Sequence, residues 1–448
     1  MQWTKQTTAR STAMLLASLM LSMALLGEQA IAQKAPATLA QGAPQDVGLD
    51  PQRLDRLTLA IKRELADGKL PGMVAVVARK GKIVYSEALG WQDRANNLPM
   101  KPDTIFRIYS MTKPLVSVAA MVLVEEGLVQ LTDPVSKFLP AFKDMQVSVA
   151  ETGADGKVTY KTVPAARPMT VQDLLRHTAG LAYGEITKNE PVKAAYAEAK
   201  LAQPGVIDFD NRGMTGAEQV ERAAKIPLIH QPGTTWEYSI ASDILGRVVE
   251  AASGKRLAVF LEERVFKPLG MADTAFWLPS AKIGRLAIPF DKDPATGAVN
   301  RLIDVSSEPN NDSGGAGAVS TAGDYLRFAQ MLLNGGALGQ RILSRSTVKL
   351  MTSDHLGGFI SQPLQPGELL LGTKGYTFGL GFATRQDDGI AALAGSQGEY
   401  TWAAYSGCYF WIDPREEIVG VYMAAAPSPI RAYYRRMVKG LVYQALVD

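Results

Sequence analysis

The first clear pattern along the chain is a row of apolar residues at helical spacing. One face of the predicted helix is formed by Leu54, Leu57, Ile61 and Leu65. Asp50 precedes the row as a capping residue, Pro51 suits a first helical turn, and Gly68 follows the row as a terminator. The pattern therefore predicts a helix between Asp50 and Gly68.

Two pairs of β-rich segments follow, one near each end of the chain. Residues 73–78 and 83–88 flank one short polar turn, and residues 408–412 and 418–423 flank another. Each pair predicts an antiparallel hairpin. A closing amphipathic helix is predicted on Tyr434, Met437, Leu441 and Ala445. Both ends of the chain are therefore expected to contain helix and antiparallel sheet.

The middle of the chain has a different pattern. From about residue 126 to residue 309, helical patterns and long loops with Gly and Pro dominate, and residues 171–175 and 244–252 are the clearest helical segments. We predict a helical lobe, 126–309, inserted into a discontinuous α/β domain of residues 45–125 and 310–448. Because sites often form in clefts between lobes, we expect the chemistry at this junction.

The N-terminal 32 residues form a separate segment. Lys5 and Arg10 precede an apolar run over residues 13–26, which is shorter than the ~20 residues of a spanning helix. The segment ends at Ala32 in the Ala-x-Ala pattern of a signal-peptidase site. We expect a secretory signal peptide over residues 1–32 and a periplasmic or secreted protein. The alternative is an uncleaved anchor.

Composition narrows the classes of partner and cofactor. The chain carries 47 Lys and Arg against 44 Asp and Glu, a net charge of +3, with no dense basic run, so no nucleic-acid partner is expected. Three His and one Cys show no metal-ligand spacing, so we expect no metal and no cofactor. The single Cys408 cannot form an internal disulfide, and we predict it to be a small buried residue.

A candidate nucleophile stands where an extended apolar stretch leads into a helix that is apolar nearly all round, predicted over residues 115–131. Pro114 is tolerated only in a first turn, so this helix begins close to Ser110. Lys113 then lies on the same face as Ser110. The pair offers a hydroxyl at a helix N-terminus and an amine that can take its proton. The alternative is a capping Ser with a surface Lys.

Three other serines stand in sequences like nucleophile motifs. Ser346 and Lys349 repeat the Ser-x-x-Lys spacing, but in a polar stretch typical of an exposed helix start. Ser313 lies in Asp-Ser-Gly-Gly, yet Ser-His-Asp proteolysis needs a suitable His and a strand-rich chain. Ser396 nearly completes a nucleophile elbow but lacks its first Gly and a parallel βα series. We expect a helix start for Ser346, and a loop and a turn for the other two.

The motif Ser110-Met111-Thr112-Lys113 before a buried helix resembles that of the serine β-lactamase and penicillin-binding protein superfamily. Residues 174–181 resemble a shared segment of the class C group, and residues 238–240 (Tyr-Ser-Ile) resemble its second motif, Tyr-x-Asn. Residues 314–336 and 398–413 also fit.

This resemblance covers roughly residues 45–445 in the right order. It implies an α+β fold of the β-lactamase/transpeptidase type, with an antiparallel sheet flanked by helices and a mainly helical lobe.

Two departures separate the chain from β-lactamases. Ile240 stands in place of the motif Asn, and Trp402-Ala403-Ala404 stands in place of Lys-Thr-Gly. The missing amide removes hydrogen bonds to an acylamino side chain, and the missing cation removes recognition of a substrate carboxylate. A Trp-Gly-Gly-like motif at this position marks family VIII carboxylesterases. The chain resembles that family most closely, although two alanines replace its glycines.

The resemblance implies a role for each catalytic residue. Ser110 would be the nucleophile, Lys113 its partner and Tyr238 the second base, facing them from the helical lobe. Either the phenolate or the neutral amine could take the proton, and the sequence leaves this open. The backbone N–H groups of Ser110 and Tyr405 would hold the oxyanion.

Three aromatic residues are expected at the acyl pocket by the same resemblance. Trp402, Tyr405 and Tyr183 would line an apolar site suited to small uncharged esters, with core packing as the alternative for all three. His177 is expected to be a hydrogen-bonded structural residue.

These observations predict an exported serine carboxylesterase that cleaves small carboxylic esters through an acyl-enzyme on Ser110. A second hypothesis keeps the acylation chemistry in a β-lactamase, a D-amino-acid peptidase or a transacylase. A third is a non-catalytic wall-binding or scaffolding relative, against which the intact Ser110, Lys113 and Tyr238 argue. We expect a small-molecule partner and no stable membrane anchor after signal cleavage. The natural substrate and the oligomeric state stay open.

Overall fold

Helices cover both faces of a central β-sheet in the computed structural model, which describes residues 39–203 and 209–448. The predicted signal peptide, 1–32, lies outside the described residues and stays a prediction. Within the described part of the chain, no helix combines the length and the apolar character that crossing a bilayer requires.

The strands, in chain order, are β1 (Ala40–Gln41), β2 (Gly72–Arg79), β3 (Lys82–Asp93), β4 (Leu98–Pro99), β5 (Phe106–Arg107), β6 (Gln146–Thr152), β7 (Val158–Pro164), β8 (Val319–Ser320), β9 (Ala337–Leu338), β10 (Gln340–Arg341), β11 (Tyr376–Phe378), β12 (Ala383–Arg385), β13 (Tyr400–Ala403), β14 (Tyr409–Asp413) and β15 (Ile418–Ala424). Nine of them form the central sheet, in the order β1-β3-β2-β15-β14-β13-β12-β11 with β4 on β3. Its pairs are antiparallel except for β1 with β3. The sheet therefore joins the two ends of the chain, as the two hairpin patterns predict.

The helices, in chain order, are α1 (Pro51–Ala66), α2 (Thr112–Glu125), α3 (Val171–Leu175), α4 (Glu190–Glu198), α5 (Gly216–Ala223), α6 (Ala241–Ser253), α7 (Leu257–Leu261), α8 (Lys267–Leu269), α9 (Ser280–Ile283), α10 (Ala322–Leu333), α11 (Arg345–Met351), α12 (Pro366–Leu371) and α13 (Arg431–Tyr443). On one face of the sheet, α1 packs against α13, while α10 packs on β2, β14 and β15 from the other face. All eight residues of β2 are buried because both faces are covered.

The first predicted helix is confirmed with its cap. The Asp50 carboxylate accepts a hydrogen bond from Arg53 N at 3.0 Å, and Leu54, Leu57 and Ile61 are buried. The apolar helix predicted over residues 115–131 is shorter than expected. It ends at Glu125, because Gly127 turns the chain at a φ of 73°.

The face predicted for helix α13 is confirmed in part, since Tyr434 and, just after the helix, Ala445 are buried. Its buried residues include Tyr434, Arg435, Val438 and Lys439, whereas Met437 and Leu441 are only partly buried. Two cations therefore stand at core positions of this helix.

The region 126–309 contains α3–α9 and long loops, and also the hairpin β6–β7, which the sequence analysis does not predict. The polar turn after β6 contains Gly153 and Gly156, a hairpin signal between Val-rich segments. The boundaries of the two predicted domains stay a prediction.

Candidate active site

Ser110 lies in a 3₁₀ turn, Tyr109–Met111, that leads directly into α2. Pro114 occupies the first turn of α2, where its missing N–H is tolerated. Tyr109 has a φ of 38°, a conformation that costs a bulky residue about 1–3 kcal/mol and persists only where packing enforces it. Here the Tyr109 hydroxyl accepts a hydrogen bond from Ile303 N at 2.9 Å, so the turn that carries the hydroxyl of Ser110 is fixed from behind.

Lys113 is buried and uses each of the three donors of an ammonium group. Its Nζ donates to Ser110 Oγ at 3.3 Å, to Tyr183 Oη at 2.9 Å and to the Gly315 carbonyl at 2.8 Å. All three acceptors are neutral. The structure therefore brings Ser110 and Lys113 together on one helix face, and the surface-lysine alternative is wrong.

Tyr238 reaches this pair from the segment before α6. Its hydroxyl donates to Ser110 Oγ at 2.5 Å, and Lys113 Nζ lies 4.7 Å from the centre of its ring. Three residues that are far apart in the sequence thus share one hydrogen-bonded cluster. The hydroxyl of Ser110 has a phenol on one side and an amine on the other.

His177 holds the segment on both sides of Tyr238. Its carbonyl accepts from Glu237 N at 2.9 Å, its Nδ1 lies 3.3 Å from Ser239 Oγ, and its ring is 5.2 Å from the ring of Tyr238. Burial, with a smaller contribution from Lys113, lowers the pKa of His177 well below its usual value. The ring is therefore neutral, as a structural hydrogen-bonding residue requires.

Tyr183 is closer to the chemistry than the sequence analysis predicts. It is expected on the acyl pocket wall, but its hydroxyl accepts directly from Lys113, and its ring lies 5.2 Å from that of Tyr238. Burial and the neighbouring Tyr238 raise the pKa of Tyr183 well above the usual value for a phenol. Tyr183 therefore remains a neutral phenol beside the amine.

The loop that supplies the Gly315 carbonyl is held by Asp243, near the start of α6. Asp243 Oδ1 accepts from Ser313 Oγ at 2.6 Å and from Gly315 N at 3.1 Å. The sequence analysis names neither Asp243 nor Gly315 as a site residue. An acidic residue in the first turn of a helix is common, so the local sequence does not single out Asp243.

Aromatic rings form the wall of the site opposite α2. Trp402, on β13, is buried with its ring 5.5 Å from that of Tyr238. Tyr405 follows β13 and is only partly buried, and its ring lies 5.5 Å from Tyr109 and 5.7 Å from Phe209. The structure therefore brings Trp402 and Tyr405 to the site, and the oxyanion role of Tyr405 stays a prediction.

The other candidate nucleophiles lie elsewhere or are occupied. Ser346 is exposed at the start of α11, and Ser313 is buried and bound to Asp243. Ser396 is buried, and its backbone N–H donates to Asp413. Cys408 is buried as predicted, and burial raises the pKa of its thiol to about 11.

Comparison with known proteins agrees with this geometry. The Beta-lactamase family model matches residues 57–440. Protein Rv1367c of Mycobacterium tuberculosis is 33% identical over 373 residues, which cover 81% of this chain and 87% of that protein. Esterase EstB of Burkholderia gladioli is 34% identical over 299 residues, covering 62% of this chain and 69% of that esterase.

A solved structure shares the architecture over most of its length. EstCE1, described as a hydrolase with promiscuous acyltransferase activity, superposes with a TM-score of 0.70 at 26% identity, over 88% of this chain and 99% of that one. The fold is thus of the β-lactamase/transpeptidase type, as predicted. These relatives support a serine hydrolase or acyltransferase activity. With a family model that spans most of its length and a Ser-x-x-Lys pair joined to a facing tyrosine, the chain belongs to the β-lactamase family.

Proposed function

We propose that this protein is a serine carboxylesterase that cleaves small, uncharged carboxylic esters through an acyl-enzyme. The observation that carries the proposal is the hydrogen-bonded cluster of Ser110, Lys113 and Tyr238 beside an apolar aromatic wall. The proposal includes export by residues 1–32, and a small molecule as the partner.

In the acylation step, Ser110 Oγ attacks the ester carbonyl carbon and loses its proton to Tyr238. The 2.5 Å contact between the two oxygens provides the path for this proton. Ionising a phenol at neutral pH costs about 4 kcal/mol, and a cation about 5 Å away returns about 3 kcal/mol at an effective dielectric of about 20. The ammonium of Lys113 therefore makes the ionised form of Tyr238, which accepts the proton of Ser110, accessible at neutral pH.

In this proposal, the backbone N–H groups of Ser110 and Tyr405 donate hydrogen bonds to the negatively charged carbonyl oxygen. Collapse of the tetrahedral intermediate breaks the ester C–O bond, and the leaving alcohol takes the proton from Tyr238. Water then attacks the acyl-enzyme, gives a proton to Tyr238, and releases the acid as Ser110 regains its hydrogen.

The preference for uncharged esters follows from two buried apolar side chains. Ile240 and Trp402 are both almost fully buried, at 2% and 1% exposure, in the places where β-lactamases carry an amide and a cation. A substrate acylamino group or carboxylate would meet no matching hydrogen bond there, which costs roughly 1–3 kcal/mol for each polar group left unpaired. β-Lactam turnover is therefore expected to be slow.

Acyl transfer to an alcohol is the second candidate, favoured by the acyltransferase activity in the description of EstCE1. Both activities share the acyl-enzyme and differ only in whether water or an alcohol attacks it. Adding an alcohol to the ester assay and measuring the new ester against the free acid separates them.

Short-chain p-nitrophenyl esters and a chromogenic cephalosporin, assayed side by side, test the proposal. We expect ester turnover that disappears in Ser110→Ala, while Ser346→Ala, which alters the exposed Ser-x-x-Lys copy, retains it. Faster cephalosporin turnover than ester turnover would contradict the esterase assignment. No ester turnover above the Ser110→Ala background, with no covalent fluorophosphonate label, would favour a non-catalytic relative.

A further inference from the structure

The buried carboxylate of Asp243 is linked to the ammonium group of Lys113 through one intervening residue, Gly315. Asp243 is 2% exposed, and its Oδ1 accepts from Gly315 N at 3.1 Å, while the carbonyl of the same Gly315 accepts from Lys113 Nζ at 2.8 Å. Ser313 Oγ completes the arrangement by donating to Asp243 at 2.6 Å. Asp243 and Lys113 are therefore connected by two hydrogen bonds and a single peptide residue.

The residue between them has to be glycine. A Cβ on Gly315 would lie 2.3 Å from Asp243 Oδ2 and 3.1 Å from Tyr183 Oη. The carboxylate and the phenol that contacts Lys113 thus approach the same backbone atom from two sides. This close approach keeps the negative charge of Asp243 near the amine although the two groups do not touch.

The two groups that donate to Asp243, the Ser313 hydroxyl and the Gly315 amide, are neutral, so the buried carboxylate needs a positive charge nearby. Arg247, one turn later on α6, interacts with Asp243 through space, but its contact ion pair, at 2.8 Å, is with Glu250. Lys113 has no acidic partner of its own among its three acceptors. The titratable groups that act on Asp243, on Lys113 or on the phenol between them are Tyr183, Tyr196, Tyr238, His177, Arg247 and Glu185.

We propose that Asp243 is a positioning residue whose negative charge keeps Lys113 in the ammonium form and thereby sets the pH at which the site becomes active. The inference rests on the proposed esterase function. The same geometry gives a role to Ser313, which lies in a protease-like sequence: its hydroxyl orients the carboxylate of Asp243 and does not attack substrate.

The direction in which Asp243 shifts the pH dependence follows from its negative charge. Before catalysis the unit of Lys113 and Tyr238 must lose one proton, so its net charge falls from +1 to 0. A nearby negative charge opposes that loss, and removing the charge makes the loss easier. One charge about 8 Å away, at an effective dielectric of about 20–40, corresponds to a shift of about one pH unit.

The pH profile of kcat/KM for a p-nitrophenyl ester, measured for wild type and Asp243→Asn, tests this. Asparagine keeps an acceptor for Ser313 and Gly315 but carries no charge. We expect the acid limb of Asp243→Asn to move to lower pH by about one unit, with the same shift in the rate of fluorophosphonate labelling. Asp243→Ser, which is also neutral, carries the same expectation if the asparagine variant does not fold.

Ser313→Ala is the matched control because it removes a hydrogen bond to Asp243 and keeps the charge. Its acid limb is expected to stay in place even if kcat falls. An unmoved acid limb in an active Asp243→Asn enzyme, or an equal shift in Ser313→Ala, would overturn the inference and leave the esterase function intact. A wild type without ester turnover or fluorophosphonate labelling would contradict the esterase function itself.

Discussion

Among the residues that the structure describes, two lysines are buried, and their surroundings are opposite in kind. Lys113, beside Ser110, is held by a hydroxyl, a phenol and a carbonyl, all of them neutral. Lys439, on α13, is fully buried against Glu399 at 2.7 Å, with the Ala394 carbonyl as a second acceptor.

In the cluster around Lys439, the positive charges of Lys439 and Arg385 lie beside the negative charge of Glu399. Tyr376 donates to Glu399 at 2.6 Å, and Arg385 lies 3.8 Å from the same carboxylate. Burial raises the pKa of Glu399 and lowers that of Lys439, while the charge of each group favours the charged form of the other. At the candidate site no carboxylate contacts the amine, so its positive charge remains available to stabilise a phenolate. Direct pairing distinguishes Lys439 from Lys113, the candidate catalytic lysine, which has only neutral acceptors.

Replacing each lysine by methionine gives the largest contrast. Lys113→Met is expected to lower kcat/KM by roughly a thousandfold or more, because acid-base groups contribute about 10²–10⁴-fold and the proton acceptor also loses its stabilising cation. The measurement is kcat/KM for a p-nitrophenyl ester, with circular dichroism to show that the fold is retained. A Lys113→Met enzyme with nearly normal activity would remove the distinction between the two clusters.

Lys439→Met is expected to act on stability. It leaves the fully buried Glu399 without its nearest cation, which costs about 3–5 kcal/mol of the free energy of unfolding. Urea unfolding measures this loss, and kcat/KM of the folded fraction should stay within about twofold. The double variant Glu399→Gln/Lys439→Met should recover part of the loss, since no uncompensated charge remains. A double variant less stable than the single one would mean that packing dominates over charge in this cluster.

Each of the two lysine clusters contains a buried tyrosine, so removing one hydroxyl group from each cluster compares them more finely. Tyr183→Phe removes an acceptor of Lys113, and a lost hydrogen bond of about 1–1.5 kcal/mol corresponds to a fall in kcat of about tenfold. Tyr376→Phe removes a donor to Glu399, and we expect about 1–3 kcal/mol of destabilisation with normal kcat. Steady-state kinetics and urea unfolding of both variants check the pair. If Tyr183→Phe lowered stability with normal kcat and Tyr376→Phe lowered kcat, the hydroxyl of Tyr183 would have no role in the chemistry.

The sequence is sufficient to predict that the candidate catalytic pair lies together. Ser110 and Lys113 are three residues apart, and Pro114 places the start of the helix, so local rules alone put both side chains on one face. Tyr238 required the family resemblance, because nothing local connects it with Ser110.

The support for these residues is less visible in the sequence. Gly315 and Asp243 meet Lys113 only through the tertiary fold, across separations of 202 residues for Lys113 with Gly315 and 72 for Gly315 with Asp243. The inner face of α13 is predicted only in part for a related reason. Periodicity assigns apolar residues to the core, but Arg435 and Lys439 are buried there because Leu370, Ala404 and Glu399 supply acceptors from distant segments.

The smallest expected effect is a loss of stability at acidic pH. It tests whether the candidate site carries only one positive charge. The pKa of His177 is lowered within the fold, whereas in the unfolded chain a histidine takes a proton near pH 6.5. Below that pH the unfolded state binds a proton that the folded state does not, so stability falls by about 1.4 kcal/mol per pH unit until the folded-state pKa is reached. The loss is absent above about pH 7.

His177→Asn removes this proton, and asparagine tolerates the φ of 56° at that position. The free energy of unfolding in urea, measured at pH 7.0 and pH 5.5, should therefore fall by about 1.4 kcal/mol more in wild type than in His177→Asn. His355, whose pKa burial also lowers, is present in both proteins and cancels from the difference. Equal pH dependence in the two proteins would mean that His177 is protonated inside the fold. A second cation would then stand beside Lys113, and the contrast between a site with a single cation in contact only with neutral groups and a cluster of paired charges would no longer hold.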